Sequence, residues 1–349
     1  MQINWGIIGC GDVTEVKSGP AFNNVADSRL VAVMRRNGEA AKDYAARHDV
    51  PFWSNSADEV ISHPEVNAVY IATPPGSHLE YALKVCAAGK PAYVEKPMAR
   101  SAAECRQMNA AFESARLPLF VAYYRRALPR FLQAKELIES GRIGTVTGVT
   151  YRFANSSHRT VNRNRLPWRW VAEESGGGQF LDLGCHTLDI IDFMVSPLQS
   201  VKGDASNVGS DCDVEDSVAM QFGLQCGGLG TATWNFASDR RIDLIEIAGT
   251  EGEISLSTFA GEPVLVSRGA ESQSYDLPNP LNIQQPFIET IVRELNGNGK
   301  CPSTGLTALR TAEVMDTVLA RYYGGRADAF WDRPETWPGR PKPLLEAPS

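Results

Sequence analysis

The chain has 349 residues, of which 43% are hydrophobic and 21% charged, with a net charge of −7. That length suggests two domains, and the composition is that of a globular protein with an ample core. The acidic balance argues against a nucleic-acid binder, and no apolar run approaches the ~20 residues needed to cross a bilayer.

The opening MQINWGIIGCG has no basic region and no apolar stretch of useful length, so no secretory signal is expected there. Gly9-x-Gly11 then follows a short apolar strand, Ile3–Ile8. Glycines at that place allow a tight turn and let a pyrophosphate approach the backbone at a helix start. Thr14 stands where the third glycine of such a fingerprint would be, so the motif is incomplete. A second strand, 29–34, ends in MRRN, with Arg35 24 residues past Gly11 and Arg36 beside it. NAD-binding domains usually place an acid there for the ribose 2′-hydroxyl. A guanidinium instead pairs with a 2′-phosphate, which favours NADP(H), with NAD(H) possible. A solvated surface pair is the alternative reading.

Further strands are expected at 68–72, 92–94 and 119–122, separated by helices at 38–48, 77–88 and 101–115. This alternation predicts a doubly wound parallel sheet, a Rossmann domain over 1–122. The loop ATPPGSH, 72–78, leaves its strand extended because of two prolines, and either runs along a nucleotide or serves as a plain turn. The stretch YVEKPMA puts Glu95, Lys96 and Pro97 at the carboxyl end of a buried strand. Strand ends of this kind face the ligand crevice, and closing the site to water would lower the Lys96 pKa towards that of a proton donor. A strand-end salt bridge is the bland alternative.

From residue 123 the pattern changes. A helix at 129–140 precedes extended runs at 146–153, 217–222, 229–235, 243–248 and 264–267, joined by glycine-bearing turns. These predict a mostly antiparallel open sheet in an α+β domain over 123–330. Helices are expected at 179–194, 285–295 and 305–323, and a proline-rich extended tail at 331–349. Asp182, His186 and Asp189 form a stripe on the apolar 179–194 helix, where a carboxylate one turn from a histidine can orient its ring. HRTVNRNRLPWRW, 158–170, reads as a sugar- or anion-binding loop or as a basic surface loop. SDCDVED, 210–216, reads as a solvated turn because it lacks the glycine and final Glu of a calcium loop. The seven cysteines are scattered without a CxxC pair, which predicts reduced, mostly buried thiols in a cytoplasmic protein. The five histidines lack metal-ligand spacing, so no metal is expected.

The glycine turn, the EKP tripeptide and GGG-x3-D-x3-H together make the chain resemble the glucose–fructose oxidoreductase / inositol dehydrogenase (Gfo/Idh/MocA) family. The match runs from Asn4 to about Tyr323. The resemblance implies a catalytic set of Lys96, Asp182 and His186, with Lys96 touching nicotinamide and substrate and His186 transferring a proton. It also implies a cis Lys96–Pro97 bond and a homodimer or homotetramer through the open sheet. AYYRRALPRF, 122–131, resembles the family's domain opening but has Ala127 for the usual aromatic, which leaves Arg126 without an assigned role. The expected cofactor contacts are Gly9, Gly11, Asp12, Val13, Arg35, Arg36, Thr73, Pro74, His78, Glu95 and Lys96. Lys96, Tyr124, Arg169, Asp182 and His186 are expected at the substrate. The implied activity is NADP(H)-dependent reduction of a cyclic sugar ketone such as 1,5-anhydrofructose. An NAD-dependent inositol or sugar dehydrogenase and a non-catalytic sugar-sensing regulator remain the alternatives.

Overall fold

The computed structural model describes residues 1–160, 162 and 164–341. Six short strands build the first sheet: β1 (Ile3–Ile8), β2 (Ser28–Met34), β3 (Phe52–Ser54), β4 (Ala68–Ile71), β5 (Ala92–Val94) and β6 (Leu119–Val121). They lie in the order β3-β2-β1-β4-β5-β6, and every pair is parallel. This is the doubly wound Rossmann order, in which the strand order reverses between β1 and β4 and opens a crevice at their carboxyl ends. β1, β4 and β5 are almost continuously buried, as a sheet covered on both faces requires. β3 and the helix Ala57–Ser62 were not expected. Each is too short to leave a periodic signal.

The second sheet contains β7 (Val146–Ala154), β8 (Leu198–Ser206), β9 (Ser217–Leu224), β10 (Leu229–Asn235), β11 (Ile242–Gly249), β12 (Glu253–Leu256), β13 (Val264–Arg268) and β14 (Glu271–Tyr275). Their order is β14-β13-β12-β11-β7-β10-β9-β8, antiparallel except where β10 runs parallel to β7. β10 alternates strictly between exposed and buried residues, so one face is open and the other packs inward. On the inner face Trp234 meets Phe180 edge-on at 4.8 Å. β8 and β14 escaped the sequence reading because too few of their residues are apolar, β14 being Glu-Ser-Gln-Ser-Tyr, and β12 because it has only four residues.

The C-terminal helices return to the first domain. Gln284, just before the helix Gln285–Leu295, donates its side-chain N–H to Glu95 and accepts from the Tyr93 hydroxyl. The helix Gly305–Tyr323 places Asp316 against the backbone N–H of Ala102. Three expectations need correction. The segment 331–341 is not extended: it forms short 3-10 turns, and Trp337 is buried with its indole N–H on Phe330 O. The rest of the expected tail, 342–349, lies outside the described residues, as does Arg163 of the basic loop. The 210–216 segment is a solvated turn only in part: Asp211 is exposed, but the last two acids are not. Glu215 and Asp216 are fully buried, because Glu215 takes the N–H of Gly178 and Asp216 takes those of Val208, Gly209 and Ser210.

Asp189, expected in the functional stripe, belongs instead to a buried ion cluster. Arg126 donates to it through Nε at 2.9 Å and Nη2 at 2.7 Å, and Asp192 links Arg126 to Arg310. Removing one member leaves an uncompensated buried charge. We expect Asp189→Ala to lower the urea-unfolding free energy by about 3–5 kcal/mol; a loss under about 1 kcal/mol would show that the cluster is not structural.

Candidate active site

At the end of β1 the chain turns through Gly9, whose φ is +93°. A Cβ there would lie 2.8 Å from Thr73 Cγ2 and 3.0 Å from Ala72 C, so only glycine lets the first and fourth strand ends approach. Gly11 precedes the short helix Asp12–Val16 and is open on its outer side: a Cβ built there would meet nothing nearer than Gly9 O at 3.9 Å. Thr14 is accommodated because its hydroxyl bonds back to Gly11 O at 2.8 Å. Arg35 and Arg36 stand exposed just beyond β2, and neither makes an ion pair among the described residues. Together with Asp12, Val13, Thr73 and Pro74 they line one cleft of about 890 Å³, which continues to Glu95 and Lys96. An open glycine turn and free guanidiniums at the second strand end fit a nicotinamide dinucleotide. His78 does not belong to this surface. It is fully buried, with Nε2 2.7 Å from Thr73 O and Nδ1 3.2 Å from Pro97 O, so it ties two cleft loops together from behind.

Lys96 leaves β5 into the crevice, and the Lys96–Pro97 bond is cis. Glu95 borders the same cleft, but its carboxylate is taken up by neighbouring protein groups. It accepts from the Tyr70 hydroxyl at 2.6 Å, from Gln284 at 2.7 Å and from the Lys96 backbone N–H at 3.1 Å. Glu95 therefore anchors the backbone of this loop. The Lys96 ammonium crosses to the second domain, 2.6 Å from Asp182 Oδ1 and 2.9 Å from Asp182 O. The expectation of a lowered Lys96 pKa is corrected here. Burial does pull it down, but the Asp182 carboxylate, helped by Cys185 and Glu95, outweighs burial and leaves it raised. Burial likewise works to raise Asp182, yet Lys96 and Arg169 hold its carboxyl below the usual range. Arg169 donates Nε to Asp182 Oδ2 at 2.8 Å and lies over the Trp168 ring at 4.2 Å.

The 179–194 segment is not one regular helix. Phe180–Gly184 winds as a π-turn and Cys185–Met194 as an α-helix. Wider winding of this kind redirects side chains and is common at functional sites. Here the hydrogen bonds of Asp182 go to Lys96 and Arg169, and His186 bonds Arg125, so Asp182 does not hold the His186 ring. Arg125 Nη1 lies 2.8 Å from His186 Nδ1. A guanidinium only donates, so Nδ1 must accept, and the single proton of the neutral ring is assigned to Nε2. Burial, then Arg125, Lys96 and Lys17, push the His186 pKa well below its usual value. The ring is boxed edge-on by Tyr123, Tyr124 and Phe259. Tyr124, Arg169, Asp182 and His186 all line the cleft.

Sequence reading missed Arg125, Phe259 and Gln284, which also line it. The paired arginines after Tyr124 were a usable signal for Arg125. Phe259 and Gln284 carry no local pattern and reach the cleft only through the tertiary fold.

The description of an oxidoreductase family with an NAD-binding Rossmann fold (GFO_IDH_MocA) matches residues 3–123, and its GFO/IDH/MocA C-terminal domain matches 131–255. The chain belongs to the GFO/IDH/MocA oxidoreductase family. Among its relatives, Oxidoreductase P35 of Formosa agariphila is 38% identical over 318 residues, covering 90% of this chain and 98% of the relative. A 1,5-anhydro-D-fructose reductase of Ensifer adhaerens is 26% identical over 308 residues, covering 86% and 90%. In fold, a levoglucosan dehydrogenase in complex with NADH and levoglucosan is similar with a TM-score of 0.83 at 22% identity, over 91% of this chain and 96% of that one.

The buried, neutral His186 makes stability depend on pH. Its folded pKa is depressed, so as pH falls the unfolded chain takes up the proton first. Stability is full above the ordinary imidazole value of about 6.5 and declines below it, by at most about 1.4 kcal/mol per pH unit. His186→Gln, which keeps an acceptor for Arg125, should flatten the fall in unfolding free energy between pH 7.5 and pH 5.5. An unchanged slope would contradict a depressed His186.

Proposed function

We propose that this protein is an NADP(H)-dependent reductase of a cyclic sugar ketone, of which 1,5-anhydrofructose is an example. The observation that carries the cofactor choice is the free Arg35–Arg36 pair beyond β2, where an acid would select the ribose 2′-hydroxyl. The 26% sequence identity with the 1,5-anhydro-D-fructose reductase of Ensifer adhaerens supports the substrate class. Gly9, Gly11, Asp12, Val13, Thr73, Pro74 and Glu95 form the cofactor's bed, with Arg35 and Arg36 at its 2′-phosphate. A nicotinamide bound there supplies the hydride.

The chain's own residues handle the oxygen. A carbonyl oxygen that becomes an alkoxide is far more basic than an amine, so the Lys96 ammonium gives it a proton. Asp182 keeps Lys96 charged until then, and Lys96 also draws negative charge to the reacting oxygen before transfer. His186 donates a hydrogen bond from Nε2–H to the same oxygen; as a neutral ring pinned at Nδ1 it polarises rather than relays the proton. Tyr124 and Arg169 flank the substrate. Oxidation through the same residues needs Lys96 unprotonated, which its raised pKa opposes at neutral pH. We further propose the boundaries 1–122 and 123–330 for the two domains and a homo-oligomer through the open sheet.

The test is a titration with NADPH and NADH, followed by quenching of the seven tryptophans. NADPH should bind at least about tenfold tighter, equivalent to about 1.4 kcal/mol, and Arg35→Glu should abolish the preference. Equal or tighter binding of NADH rejects the 2′-phosphate reading.

A further inference from the structure

Arg125 has donors to spare. It is only 7% exposed, yet among the described residues it forms no ion pair. Nε donates to Thr258 O at 3.0 Å and Nη1 to His186 Nδ1 at 2.8 Å. A guanidinium has five N–H donors, so three remain, both of those on Nη2 among them. The Tyr124 and Phe259 rings lie 5.1 and 4.8 Å from its Cζ and hold the plane in place where it lines the cleft.

Its surroundings make the charge harder to carry. Arg130, 4% exposed, shares the Thr258 carbonyl with Arg125, also bonds Ala260 O, and forms no ion pair among the described residues. Burial and the Arg125 charge push Arg130 down to about 10. The Asp243 carboxylate beside this pair is occupied by the N–H groups of Thr258, Phe259 and Ala260 and by the Tyr151 hydroxyl. The charged groups acting on His186, against which Arg125 packs, are all cations: Arg125, Lys96 and Lys17. Lys17 lines the same cleft and makes no ion pair among the described residues. Lys96 and Arg169 already share the single carboxylate of Asp182. A buried guanidinium without a counter-charge is costly, and an arriving anion offsets that cost.

We propose that Arg125 receives a carboxylate of the substrate, so that the cleft selects a sugar acid over the neutral sugar of the same ring. This rests on the reading that the cleft acts on a sugar. One guanidinium with a free edge matches a carboxylate in size and charge. Phosphate sites instead gather several backbone N–H groups at a helix start.

The test compares binding of three hexuronates (D-glucuronate, D-galacturonate and D-mannuronate) with D-glucose, D-galactose and D-mannose, by tryptophan quenching of the NADPH-loaded protein. At least one uronate should bind tenfold or more tighter than its neutral partner. Arg125→Gln should remove that preference and Arg125→Lys should restore part of it, with NADPH binding showing that both variants are folded. The inference is overturned if no uronate exceeds its neutral partner, if the preference survives in Arg125→Gln, or if glucose 6-phosphate outbinds every uronate. A uronate preference without turnover of any sugar would uphold the Arg125 assignment and reject the reductase reading. Turnover of neutral sugars without any preference would do the reverse.

Discussion

The ion pair between Lys96 and Asp182 joins the two halves of the cleft. One partner stands at the carboxyl end of β5 in the parallel sheet, the other on a π-turn lying against the antiparallel sheet. Each charge is mostly withdrawn from water, and each would be costly alone. Much of the local architecture keeps the two in register. Glu95 pins the Lys96 backbone through Tyr70 and Gln284, and His78 braces the same loop against Thr73. On the other side Gly178 lies so close to Glu215 that a Cβ would lie 2.2 Å from Glu215 O, which brings the chain into the π-turn over a buried carboxylate.

This arrangement divides the electrostatic work. Lys96 is kept charged because the Asp182 carboxylate outweighs burial, while His186 is kept neutral because it is buried and its charged neighbours are cations. Two titratable groups in one cleft are thereby held in opposite states at neutral pH, the pattern by which a single site separates a charged donor from a neutral one. Arginines also stand at both ends of the cleft, Arg35 and Arg36 at one and Arg125 at the other, although the chain as a whole carries a net charge of −7. A cationic cleft in an acidic protein concentrates anionic ligands locally.

Much of this was legible in the sequence because it is written in local patterns. Short apolar runs alternating with helical spacing predict a parallel sheet, and glycines after β1 predict a turn that a Cβ would block. The place of Lys96 at the cleft was legible for the same reason, since the carboxyl ends of buried parallel strands face the crevice. What escaped depends on distant partners. The Asp182–His186–Asp189 spacing suggested one face of one helix, but the π-turn and three arginines from elsewhere in the chain separate them: Arg169 takes Asp182, Arg125 takes His186 and Arg126 takes Asp189. Glu215 and Asp216 looked solvated because the backbone N–H groups they accept from leave no mark in composition. The polar strands β8 and β14 were hidden by the open face of their sheet.

The most direct measurement compares Lys96→Met with the parent protein, reading both NADPH affinity and the rate of NADPH oxidation over a panel of cyclic keto-sugars. If Lys96 gives the proton and stabilises the developing charge, turnover should fall by about 10²–10⁴-fold while NADPH binding changes little. Turnover preserved in Lys96→Met, with the cofactor still bound, would contradict the account.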